Sequence, residues 1–346
     1  MATQPRAQPR SSVNLLEPPL PKSIQVEVTG ACNLRCRMCL VRYRPALGRA
    51  ASMSFDKFRS LLDNLPDVRV VTLQGLGEPL MAPDLFQMID YCKGRGISCG
   101  FNSNATLLTR QISERLVSSG LDWLHFSLDG ASRETYEFVR DHANWDVVER
   151  NITRFVSLMR ERKAGRPQLS LVMVLMRFNF RDLPAVVQRA ADWGIPRVRA
   201  QNLSHDFSDA PQNAYEAIAG FVEDQALVGM ASPDVEEVLA EARRVAARMG
   251  VSLRLPNMQE QAGEARVDGT RVACDWPWRS SYVTHDGVVQ PCCMVMGSDR
   301  AKLGSLNDSS FAEIWHEETY RRFREGLING DPHPVCIGCS EYRGTF

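Results

Sequence analysis

Cys32-Asn33-Leu34-Arg35-Cys36-Arg37-Met38-Cys39 places three cysteines in eight residues, separated by three and then two intervening positions. The stretch follows a strand-like run, Ser23 to Thr29, and a glycine, Gly30. Thiolates at this spacing can converge on one small object, and iron–sulfur clusters are held by cysteine thiolates. A four-iron cubane bound by three sulfurs keeps one iron open for a ligand that is not protein. A zinc site lacking its fourth ligand here, or three unrelated thiols, are the alternatives that spacing alone leaves standing.

From Ser23 to about Leu203, apolar strand patterns alternate with amphipathic helical ones. The strands are expected at Ser23–Thr29, Val68–Gln74, Ile97–Asn102, Trp123–Leu128, Gln168–Met176 and Arg197–Gln201. The helices are expected at Ser54–Leu65, Pro83–Lys93, Thr109–Ser119, Trp145–Arg162 and Asp182–Trp193. Parallel neighbours need a crossover, so the alternation predicts βα units and an α/β fold, a partial (β/α)6 barrel. Ligands of such folds sit at the carboxyl ends of the strands. The unusual residues collect there: the cysteine loop, then Gln74-Gly75-Leu76-Gly77-Glu78-Pro79, then Asn102-Ser103-Asn104-Ala105-Thr106, then Ser127-Leu128-Asp129-Gly130.

These four stretches together resemble the radical S-adenosylmethionine (SAM) superfamily, over about residues 23–205. The resemblance implies that SAM chelates the open iron and that an electron from the cluster cleaves it to methionine and a deoxyadenosyl radical. That radical takes a hydrogen atom from an unactivated carbon, while the protein binds, orients and protects. It further implies metal ligation by Cys32, Cys36 and Cys39. Gly77 and Glu78 are implied for the SAM amino group, Ser103, Asn104 and Ser127 for its ribose or carboxylate, and Leu203 for backbone contacts to adenine. The family often has glycine where Ala105 stands, and Asp129 is expected to shape its turn. A reducing partner such as flavodoxin or ferredoxin is implied as well.

The C-terminal part carries Cys274, Cys292, Cys293, Cys336 and Cys339. Strand-like Ser281–Thr284 and Val288–Gln290 flank a His285-Asp286-Gly287 turn, a hairpin signal that brings Cys274 and Cys292 together. Phe311–Trp315 and Thr319–Ile328 are expected helices leading to the Cys336-x2-Cys339 knuckle. Four sulfurs can close around zinc or a complete cluster, and spacing does not separate the two. The pattern is similar to the first part of a SPASM domain, truncated as in the twitch domains of aminocyclitol dehydrogenases. The resemblance implies an auxiliary four-iron cluster on Cys274, Cys292, Cys336 and Cys339. Cys293 is a spare thiol: an alternative ligand, a hydrogen donor to a substrate radical, or inert.

The domain plan is thus a disordered tail at 1–22, a radical SAM core at 23–205, a helical segment and linker at 206–273, and the auxiliary cluster domain at 274–346. His205 and Asp206, just past the sixth strand, are candidate proton acceptors. Cys92 and Cys99 are expected to be small buried fillers.

Composition bounds the rest. The chain has 346 residues, 44% of them hydrophobic, and 41 basic against 41 acidic residues. A balanced charge gives no bulk attraction to nucleic acid or an anionic membrane. The longest apolar run, Leu169–Met176, is too short to span a bilayer, and Met1–Arg10 lacks the apolar core of a signal peptide. Ten cysteines in a chain of this kind point to metal ligation and a reducing, cytoplasmic setting.

The expected activity is oxidation of an alcohol on a small polar substrate, an aminocyclitol or amino sugar of antibiotic-type natural-product biosynthesis, with the auxiliary cluster as electron acceptor. The alternatives are an epimerase or diol dehydratase on a similar sugar, a peptide maturase, and a non-enzymatic metal scaffold. The short N-terminus leaves no room for a leader-peptide-binding domain, which weighs against the maturase. The scaffold gives the Gly-Glu-Pro, Ser-Asn and Ser127 stretches no purpose.

Overall fold

Near-continuous burial along the first, third and fifth core strands, and alternating burial along the fourth and sixth, set the architecture of the chain. A computed structural model describes residues 14–44, 51–210, 212–230, 232–261 and 265–346. Six strands run parallel and in sequence order: β1 (Ser23–Val26), β2 (Val70–Thr72), β3 (Ser98–Ser103), β4 (Trp123–Ser127), β5 (Gln168–Leu175) and β6 (Arg197–Asn202). In β4, Leu124 and Phe126 are buried, and Phe126 meets Phe155 of helix Trp145–Glu161 edge-on at 5.9 Å. Trp123, His125 and Ser127 alternate with them and line the interior cavity. In β6, Val198 and Ala200 are buried, whereas Arg199 and Gln201 face that cavity.

The crossover helices start where short polar side chains satisfy free N–H groups. Ser54 caps Phe55–Asp63, Thr109 caps Arg110–Ser118 and Asn144 caps Trp145–Glu161. The last of these buries Val148, Ile152, Phe155 and Val156, each contributing about 1.5–3 kcal/mol of transfer free energy.

The parallel α/β core and the C-terminal antiparallel hairpin are as expected, but they form one sheet. β7 (Ser252–Arg254) extends the core in parallel beyond β6. β8 (Ala265–Val267) and β9 (Thr270–Val272) form a separate hairpin. β10 (Tyr282–Val283) pairs in parallel with β1, and β11 (Val288–Gln290) and β12 (Gly304–Ser305) follow antiparallel, completing a ten-stranded sheet.

Two expectations need correction. The tail reading fails for residues 14–22; residues 1–13 lie outside the described set. Trp278 Nε1 donates to Leu15 O at 2.7 Å, and Trp315 Nε1 to Pro18 O and Pro19 O at 3.1 Å. Buried indole and guanidinium donors need acceptors, and an extended proline-rich segment offers its carbonyls. The end of the expected 206–273 helical segment and linker instead forms the β8–β9 hairpin, although residues 262–264 lie outside the described set.

Candidate active site

The cysteine loop leaves β1 and folds back at once. Ala31 N donates to Thr29 Oγ1 at 3.1 Å and Cys39 N to Cys36 O at 3.0 Å, which turns the thiols inward. Burial pushes the Cys36 thiol up to about 12 and Cys39 to about 11, and raises Cys32. Neighbouring thiolates of the same loop push Cys36 and Cys39 further up. A buried set of thiols that repel one another once ionised is suited to a cationic metal centre, which supplies the missing positive charge. Arg140 adds a cation, its Nη1 lying 3.9 Å from Cys36 Sγ, and its guanidinium pairs with buried Asp129 at 2.7 Å.

The polar ends of β2 and β3 are locked together. Glu78, 3% exposed, accepts from Ser103 Oγ at 2.8 Å and Leu80 N at 3.2 Å on one oxygen, and from Asn104 N at 2.8 Å on the other. Burial raises its pKa while these bonds oppose the rise. Its carboxylate therefore holds Ser103 and Asn104 in place at the edge of the cavity. Asn104 Nδ2 donates to Asn33 Oδ1 at 3.0 Å, tying β3 to the cysteine loop. Gly77 lies against the backbone carbonyls of Thr29 and Ala31, which a Cβ would strike. Ala105 sits at φ 60°, the left-handed region that glycine favours.

The C-terminal thiols also gather. Cys292 is held well above its usual range by burial and by Cys339, Cys293, Cys274 and Cys336. Burial raises Cys336 and Cys293 to about 12, and lifts Cys274 and Cys339. The knuckle closes by Cys339 N donating to Cys336 O at 3.1 Å. None of the ten cysteines is in a disulfide, and among the described residues no three His, Cys, Asp or Glu side chains are arranged for a single metal ion.

One cavity of about 870 Å³ is lined by Cys32, Cys36 and Cys39 and by Cys293, the C-terminal thiol outside the expected four-cysteine ligand set. Gly77, Glu78, Ser103, Asn104 and Ser127 line it as well. Leu203 instead packs beside Leu40, Phe207 and Tyr215 in a separate apolar cluster.

The proton-acceptor reading of His205 and Asp206 is corrected. The His205 side chain is fully buried; its Nε2 meets Val335 O at 2.7 Å and its Nδ1 accepts from Phe207 N at 2.8 Å. Asp206 pairs with Arg343 at 3.0 Å, and its N donates to Gly338 O at 3.2 Å. Both residues pin the Cys336–Cys339 knuckle to the end of β6.

Sequence reasoning missed Glu27, Tyr282, His285, Arg140 and Arg199, all of which line the cavity. Glu27 had a signal: Gln25, Glu27 and Thr29 are polar at alternate positions of an otherwise apolar strand. His285 was absorbed into a turn, and Arg140 carries no motif.

Residues 26–190 match the radical SAM superfamily, and residues 274–340 match SPASM, an iron–sulfur cluster-binding domain. The chain belongs to the radical SAM superfamily and carries a C-terminal SPASM domain. That pairing brings a four-iron four-sulfur cluster, SAM and auxiliary iron–sulfur ligation. Over 335 residues it is 24% identical to a tungsten-containing aldehyde ferredoxin oxidoreductase cofactor-modifying protein of Pyrococcus furiosus, covering 92% of this chain and 87% of that one. Over 347 residues it is 27% identical to an AdoMet-dependent heme synthase of Nitratidesulfovibrio vulgaris, covering 93% and 88%. Its fold is similar to that of Streptococcus suis SuiB bound to precursor peptide SuiA, with a TM-score of 0.67 at 14% identity over 94% of this chain and 71% of that one. Among the described residues no helix is long and apolar enough to cross a membrane.

Proposed function

We propose that this chain is an oxidative radical SAM enzyme acting on a substrate held between its two thiol sets. One observation carries the reading: the same chamber is bordered by the N-terminal cysteine triad and by the hairpin of the auxiliary domain. When bound, the cofactors supply a hydrogen-abstracting deoxyadenosyl radical on one side and an electron acceptor on the other. Cys32, Cys36 and Cys39 are the ligands assigned to the first cluster. Cys274, Cys292, Cys336 and Cys339 are assigned to the second. Ser103, Asn104, Ser127 and the backbone at Gly77 orient SAM, and Leu203 offers its backbone. Arg140, beside Cys36, is a cation for the SAM carboxylate.

Two substrate classes fit a chamber of this size. One is an alcohol of an aminocyclitol or amino sugar, oxidised to a ketone. The other is a cofactor precursor or peptide, supported by relatives named for modifying a cofactor and making heme. A second, redox-neutral reading is favoured by Cys293, which lines the chamber while Cys274, Cys292, Cys336 and Cys339 do not. There Cys293 returns a hydrogen atom, as an epimerase requires.

The test is anaerobic reduction of the reconstituted chain with SAM. Release of deoxyadenosine supports the reading; intact SAM after prolonged reduction contradicts it. With a turned-over substrate, a two-electron-oxidised product marks the oxidase. An inverted centre carrying solvent hydrogen, lost in Cys293→Ala, marks the redox-neutral enzyme.

A further inference from the structure

The cavity is polar in opposite senses on its two sides. The lining carboxylates that follow β1 and β2, Glu27 and Glu78, are already engaged. Glu27 accepts from Tyr282 Oη at 2.7 Å, Leu76 N at 2.8 Å and His285 Nδ1 at 2.6 Å, and Glu78 is held as described above. Across the chamber stands Arg199, on the inward face of β6 between Val172 of β5 on one side and β7 on the other. Strand register places Ser127 beside Val172, Val172 beside Arg199, and Arg199 beside Arg254. Arg199 therefore lies level with Ser127.

Arg199 has no hydrogen-bond or ion-pair partner among the described residues, and Arg254, abreast of it, is a like charge. Like charges directly opposite on neighbouring strands destabilise a sheet. Arg197, two residues earlier on the same face, lies outside that chamber and lines, with Arg199, a second cavity that also holds His125 and Asp122. Burial, then Arg199 and Arg197, push His125 down to about 4, so that ring stays neutral beside them. Burial and Arg254 likewise lower Arg199. Of these three guanidinium groups Arg199 is the one that lines the chamber, and, standing there without an ion-pair partner, it fits an oxyanion, which a guanidinium grips with two parallel bonds.

We infer that Arg199 is the binding site for a carboxylate of the substrate, so that the enzyme acts on an acid rather than on a cationic amino sugar. This deepens the reading of the cavity as the substrate chamber and rests on it. Arg140 already stands at the cysteine loop, so Arg199 is the cation assigned to the substrate and not to SAM.

Titration calorimetry of the reconstituted chain with glutarate, with 1,5-diaminopentane and with SAM tests it. Glutarate is expected to bind with SAM present, about tenfold more weakly in Arg199→Gln, and with partial recovery in Arg199→Lys. Diaminopentane is expected not to bind, and SAM affinity and iron content are expected to be unchanged in Arg199→Gln. The inference is overturned if wild type does not bind glutarate, if Arg199→Gln binds it equally, if diaminopentane binds instead, or if the loss falls on SAM. Failure of wild type to release deoxyadenosine would strike the functional reading and leave the glutarate result to be read separately.

Discussion

His285 Nδ1 lies 2.6 Å from Glu27 Oε1, so a turn residue of the auxiliary hairpin is bonded to the first strand of the radical SAM core. Tyr282 Oη reaches the other oxygen of the same carboxylate at 2.7 Å. With the β1–β10 pairing, this fixes the auxiliary domain's cysteines relative to the N-terminal loop.

The bond to Glu27, which outweighs burial, raises the His285 pKa. A folded-state value above the ordinary 6.5 or so means that protonation favours the folded chain. That stability is fully present below about pH 6.5 and fades as pH rises through the folded value. Glu27→Gln is therefore expected to destabilise by about 1.5–3 kcal/mol at pH 6 and by less at pH 9. Urea unfolding at the two pH values checks this, and imidazole nitrogen shifts should show the His285 pKa falling in the variant. An equal loss at both pH values would contradict a charged pair.

Glu78→Ala leaves Ser103 Oγ and Asn104 N without their buried acceptor. Each orphaned donor costs about 1–3 kcal/mol. The expected result is a lower melting temperature together with weaker SAM binding by equilibrium dialysis. SAM loss without any change in stability would instead place Glu78 in direct contact with SAM.

Arg140→Met strands the Asp129 carboxylate, which is fully buried and accepts from Val174 N at 2.7 Å as well. Breaking a buried pair from one side costs about 3–5 kcal/mol. Arg140→Met/Asp129→Asn should recover part of that loss in thermal unfolding. Additive losses would deny the pairing.

His205→Ala is expected to lower auxiliary-cluster occupancy, because His205 bonds to Val335 and pairs in a bridge with Cys339. Iron should fall toward about four per chain while deoxyadenosine release persists. Full iron with altered pH dependence of turnover would restore the proton-acceptor role.

How much of this was readable beforehand follows from where each signal lives. The six core strands and the hairpin were legible because alternation and the Asp286-Gly287 turn are local patterns. Strand β7 was not: Ser252-Leu253-Arg254 has no apolar run, and it is a strand only because β6 offers an edge. The tail at Leu15–Pro19 was misread for a similar reason, since its order comes from donors on Trp278 and Trp315 far along the chain. The cysteines announced themselves by spacing. Arg199 and His285 acquire meaning only when the barrel sets them around one chamber.

The central claim is that Cys32, Cys36 and Cys39 hold a cluster with an open iron, separate from an auxiliary cluster on the C-terminal thiols. Iron and sulfide analysis of the anaerobically reconstituted chain, beside the variant with Cys32, Cys36 and Cys39 all replaced by alanine, tests it most directly. The expected result is about eight irons in wild type and about four in the variant, with deoxyadenosine release abolished. Unchanged iron in the variant, or deoxyadenosine release without those thiols, would contradict the account.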